Sequence, residues 1–168
     1  MKKILFFLIL VTSIFKPTYA TNNYEKEVND KIYELYSEIK NYWLSNNVLN
    51  KKKPPQLIIT DKNATVMGGC LDENNNETTK VLLSHFCRAT NTIFITQEHI
   101  NILHKRYGIP GVLFLTAHEF GHSIQYGMSS VLKNPARELQ AYCFGARLTK
   151  FYGPSMSEEE KVDFSEMF

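Results

Sequence analysis

Apolar residues recur at steps of three and four over residues 23–46. Tyr24, Val28, Ile32, Leu35, Ile39 and then Tyr42 or Trp43 form one stripe, with Glu and Lys between them. That spacing predicts an amphipathic helix with the stripe turned to a core. Asn46 and Asn47 end it, and Lys51-Lys52-Lys53-Pro54-Pro55 reads as a solvated linker. The period then shortens. Leu57-Ile58-Ile59 predicts a short strand, and Val66-Met67 opens a second that reaches Cys70. Residues 72–80 are polar and rich in Asn and read as a loop. Thr92-Ile93-Phe94-Ile95-Thr96 is β-branched and alternating, the strongest strand pattern in the chain.

Helical spacing returns over 97–106. Tyr107-Gly108-Ile109-Pro110-Gly111 is a break, with Pro110 placed to start the next helix, about 111–128. A loop over 129–135 precedes a further helix, 136–152. The tail after Gly153-Pro154, with Ser155 or Ser157 before Glu158-Glu159-Glu160, reads as a capped helix start. This order of elements predicts an α+β fold in which a small antiparallel sheet packs on helices.

The N-terminus has a separate logic. Met1-Lys2-Lys3 precedes a predominantly apolar run of twelve residues, Ile4 to Phe15, and Thr18-Tyr19-Ala20 ends in a small residue. This is the pattern of a signal peptide, residues 1–20, cleaved before Thr21. The run falls short of the roughly 20 residues of a membrane span. The expectation is a single mature domain, 21–168, periplasmic or secreted, with no stable membrane anchor. Of the 19 Lys and Arg, Lys2, Lys3 and Lys16 lie in the leader, leaving 16 against 17 Asp and Glu. A near-neutral mature chain has no electrostatic reason to bind nucleic acid.

Three cysteines follow: Cys70, Cys87 and Cys143. Export favours pairing. A Cys70–Cys87 bond would staple the polar loop between them, worth on the order of 3 kcal/mol. Spacing alone leaves Cys70–Cys143 and Cys87–Cys143 open. Cys143, within the apolar stretch Ala141-Tyr142-Cys143-Phe144, reads as a buried thiol.

The chemistry concentrates in His118-Glu119-Phe120-Gly121-His122. Positions i and i+4 share a helix face, so His118 and His122 can present two imidazole nitrogens to one metal ion. Zinc lowers the pKa of a bound water to about 7, and an adjacent carboxylate, here Glu119, can take its proton. Val112, Leu113, Phe114 and Leu115 precede the motif, which places it on a core helix. Gly121 weakens that helix by about 1 kcal/mol relative to Ala, which suggests close approach by another element. A catalytic zinc needs a third protein ligand. Glu138 opens the next helix, which the short loop can fold back antiparallel to the first.

His118-Glu119-Phe120-Gly121-His122-Ser123-Ile124-Gln125, followed by Glu138-Leu139-Gln140-Ala141-Tyr142-Cys143, resembles the bacterial neutral zinc metallopeptidase family, which pairs HExGHxxQ with ELQADC. Gly69-Cys70, Phe86-Cys87 and the strand at 92–96 are similar as well, so the resemblance spans about 55–152. It implies a zincin-like fold and Zn2+ held by His118, His122 and Glu138, with Glu119 as base. It also implies a Cys70–Cys87 disulfide and supporting roles for Gln125 and position 142. This chain departs at Tyr142, where the family has the Asp expected to orient a ligand histidine; a Tyr hydroxyl could accept the imidazole N–H instead. The chain also ends at Phe168, short of the family's usual C-terminal region.

The resemblance thus implies an exported zinc peptidase acting on peptides or proteins. Tyr142 and the short C-terminus favour a second expectation, a weak or inactive zinc-stabilised binding protein of the envelope or medium. Tyr126, Tyr142 and Tyr152 are oxyanion candidates whose plainer role is core packing. His85, His99 and His104 read as surface or structural. The 92–96 strand is a candidate cleft edge for an extended peptide.

Overall fold

The computed structural model describes residues 19–46, 53–71, 77–81 and 83–152. Most of the expected signal peptide, and the acidic tail, lie outside them. Helix α1 (Tyr19–Ser45) buries the predicted stripe from its second member on: Val28, Ile32, Leu35, Ile39 and Trp43 face the core, while Tyr24 is exposed. Burial of each such side chain contributes about 2 kcal/mol. Trp43 takes the last position in the stripe, and Tyr42 faces solvent.

The strands are β1 (Gln56–Thr60), β2 (Thr65–Leu71), β3 (Glu77–Lys80), β4 (His85–Cys87) and β5 (Thr92–Thr96). They form two sheets, β1-β5-β4 and β2-β3. The architecture is α+β, but the three-stranded sheet is mixed, which corrects the antiparallel expectation. β1 runs parallel to β5, with Gln56 opposite Thr92 and Thr60 opposite Thr96. β4 runs antiparallel to β5, with His85 opposite Phe94. A parallel pair needs a long crossover. Residues 61–91 supply one, and β2, β3 and β4 are formed along it.

β5 is therefore the central strand, buried at all five positions, and is not a free edge; β4 and β1 hold the edges. Residues 77–80, expected within a loop, form β3 against β2. Cys70 and Cys87 are bonded, with Cα atoms 5.4 Å apart. They share a small second core with Val81 and Phe94, which ties the two-stranded sheet to the mixed one.

Helix α2 (Gln97–Gly127) starts at the Thr96 cap, whose hydroxyl accepts the His99 N–H. The expected break at 107–111 is a kink. Gly108 has φ 63° and ψ −160°, a conformation that favours glycine, and Pro110 restarts the helix. Beyond it, Val112, Leu113, Ala117 and Phe120 join the core. Helix α3 (Ala136–Tyr152) then folds back along α2.

Candidate metal centre

The antiparallel seating of α3 on α2 is visible in its contacts. Gln125 meets Arg137 and Gln140. Gly121 faces Ala141 and Phe144, and Gly145 faces His118. A Cβ on Gly121 would stand 3.0 Å from the Ala141 carbonyl oxygen, so the helices meet where side chains are smallest. This accounts for the glycine inside the motif and sets the first turn of α3 opposite His118 and His122.

Those histidines and Glu138 converge. His118 Nε2 and His122 Nε2 are 3.1 Å apart. Glu138 Oε2 lies 3.5 Å from the first and 3.2 Å from the second. Four ligands placed tetrahedrally about 2.0–2.1 Å from zinc are separated by roughly 3.3 Å. The three edges match one face of such a tetrahedron. Two neutral imidazoles and one carboxylate are also a donor set that zinc accepts. Among the described residues this is a group of His and Glu able to hold a metal ion. Burial, foremost, and the neighbouring His122 push His118 down to about 4, so its ring is neutral and its lone pair available at pH 7.

Glu119 is buried beside this group. Burial pushes its carboxyl up to about 8, the Phe86 backbone N–H opposes that shift, and the Glu138 charge adds to it. Its Oε2 has no hydrogen-bond partner among the described residues. A buried acid with one oxygen unpaired is costly, and a catalytic role is one reason for a fold to keep such a group. The Phe86 contact comes from β4, an element that sequence patterning did not reveal.

Gln125 and position 142, both expected to support the ligands, differ. Gln125 Oε1 lies 2.9 Å from His122 Nδ1. Tyr142 has no hydroxyl bond to either imidazole. Its ring lies 4.7 Å from that of His118 and stacks on Phe114 at 5.7 Å and 15°. His118 Nδ1 is buried without a partner among the described residues. Tyr142 is 47% exposed and Tyr126 49%, so neither is core. Cys143 is exposed and free, against the buried thiol expected; the fully buried residue of this stretch of α3 is Ala141. Arg137, whose guanidinium lies 3.4 Å from Glu138 Oε1, was not singled out in the sequence.

The other histidines lie elsewhere: His85 bonds the Leu83 carbonyl, and His104 packs edge-on against Tyr24. An open depression lined by Asp61, Lys62, Glu98 and Lys105 contains none of the candidate ligands. No described helix is long and apolar enough to cross a membrane. Comparisons of the chain with known protein families, with characterised proteins and with solved structures find no match.

Proposed function

We propose that the chain is an exported zinc-dependent peptidase with a zincin-like fold, as its resemblance to the neutral zinc metallopeptidases implies. The observation that carries this reading is the triangle of His118 Nε2, His122 Nε2 and Glu138 Oε2, with edges of 3.1, 3.2 and 3.5 Å, beside a buried, half-unpaired Glu119. His118, His122 and Glu138 would hold the ion. Bound zinc supplies a Lewis acid for the scissile carbonyl and an acidified water. The charge of an ion beside it would favour the ionised form of Glu119, and that carboxylate takes the proton of the attacking water and returns it to the leaving amine. The Phe86 N–H fixes that carboxylate in place. The apolar leader Ile4–Phe15 and the Cys70–Cys87 bond support an oxidising compartment.

The unpaired His118 Nδ1 favours a second reading, a zinc-stabilised binding protein with little or no activity. One experiment separates the two. The purified chain is expected to hold about one zinc and to cleave an unfolded protein, while Glu119→Gln keeps the zinc and loses cleavage. Zinc-loaded wild type that cleaves nothing across a broad peptide library would establish the binding protein. Protein that takes up no zinc would overturn both readings.

A further inference from the structure

The three candidate ligands are supported unequally. Gln125 Nε2 donates to the Arg137 carbonyl at 2.6 Å and to Gln140 Oε1 at 3.1 Å. Its oxygen is therefore the atom that faces His122 Nδ1, at 2.9 Å, and an amide oxygen can only accept. Nδ1 must carry the imidazole proton, which leaves the Nε2 lone pair for the centre. The carbonyl that Gln125 grips belongs to the residue before Glu138. One side chain thus selects the tautomer of one ligand and pins the backbone that carries another. Arg137 adds a weaker hold on Glu138 Oε1, at 3.4 Å.

His118 has no such support. Its Nδ1 is buried and, among the described residues, unpaired. Behind its Nε2 contacts the ring is located by packing, against Tyr142 at 4.7 Å and Phe114 at 6.3 Å, with Gly145 against its backbone. Ring contacts restrain a plane, but they neither choose a tautomer nor strengthen the opposite nitrogen as a donor, as an acceptor on Nδ1–H does.

We propose that Gln125 is the positioning residue that locks His122 and Glu138 into a preformed pair, and that His118, packed beside Tyr142 with no acceptor at its Nδ1, is the ligand through which the metal exchanges. The inference rests on the zinc-site reading.

The test uses the full chain, zinc affinity and release rate measured against a chromophoric chelator, and ring-nitrogen NMR of the histidines. Gln125→Met is expected to weaken zinc binding about 10- to 100-fold, the usual effect of losing such a partner, and to release His122 from its single Nδ1–H tautomer. Tyr142→Asp places an acceptor near His118 Nδ1 and is expected to tighten binding and slow release about tenfold or more. Tyr142→Phe is expected to match wild type, because the hydroxyl is not used. Tyr142 is half exposed, so its variants test the idea even if Gln125→Met folds poorly. Wild type that holds zinc while Gln125→Met holds it equally well, or while Tyr142→Asp releases it no more slowly, overturns the inference and leaves the zinc site standing. Wild type without zinc overturns the zinc site itself.

Discussion

Gly145 of α3 lies directly against the backbone of His118 on α2: a Cβ there would stand 3.1 Å from both His118 N and His118 Cα. Gly145→Ala therefore sets two opposed effects against each other. Helix propensity improves by about 1 kcal/mol, whereas crowding against backbone costs about 1–3 kcal/mol. Because backbone cannot turn aside, a net loss of stability is expected. Gly121→Ala, at 3.0 Å from the Ala141 carbonyl oxygen, is expected to lose more. Denaturant unfolding of the metal-free protein checks both, and a stabilised Gly121→Ala would contradict this account of the helix contact.

Metal-free protein should be most stable between the two perturbed groups. Glu119, raised to about 8 chiefly by burial, stays protonated in the fold while the unfolded chain gives up its proton from about pH 4.5 upward. Its contribution is whole below 4.5 and is lost as pH rises to 8. His118, lowered to about 4 chiefly by burial, behaves in the opposite sense: stability present above 6.5 is lost as pH falls towards 4. Thermal melts in chelator should show the alkaline decline in wild type and a shallower one in Glu119→Gln. Equal slopes would rule out Glu119 as its source.

Reduction should reach the site through β4. Cys87 ends the strand whose Phe86 N–H holds Glu119. Replacing Cys70 and Cys87 together by Ser is expected to cost about 2–4 kcal/mol of stability. The same double variant should bind zinc nearly as well as wild type, since no ligand lies on β4, but should lose more activity than its fraction unfolded explains. Activity that merely follows the folded fraction would argue against this route.

Phe120 sits inside the motif yet faces away from the ligands. It packs between Tyr36 and Trp43 of α1, each at 6.0 Å between ring centroids. Phe120→Ala is expected to cost about 3–5 kcal/mol. Zinc affinity measured on the remaining folded protein should be little changed, and a large fall would show that α1 packing helps hold the ligand geometry.

Patterns with a short period in sequence were legible. The α1 stripe, the β5 run, the break at Gly108 and the histidine pair each declare themselves within a few residues. Glu138 needed only one loop to be crossed. What escaped depends on distant partners. β3 has a polar sequence and exists because β2 lies beside it. β4 is three residues long, too short to show a period, although it supplies the Phe86 N–H. The direction of β1 against β5 follows from the length of the crossover, which no local pattern encodes. Tyr142 was read by its hydroxyl, whereas Phe114, 28 positions earlier, recruits its ring.

The kink at Gly108 divides α2 into two stretches of unequal standing. Before it, nearly every residue from 97 to 107 is exposed or half-buried; beyond it, nearly every residue from Pro110 to Gly121 is buried. Pro110 has no N–H to carry the hydrogen-bond ladder across the joint. An opening that starts in the exposed turns before the kink therefore meets a seam before it reaches His118. The outer turns can open and exchange their amide protons as a separate unit, while the inner turns open only with the core.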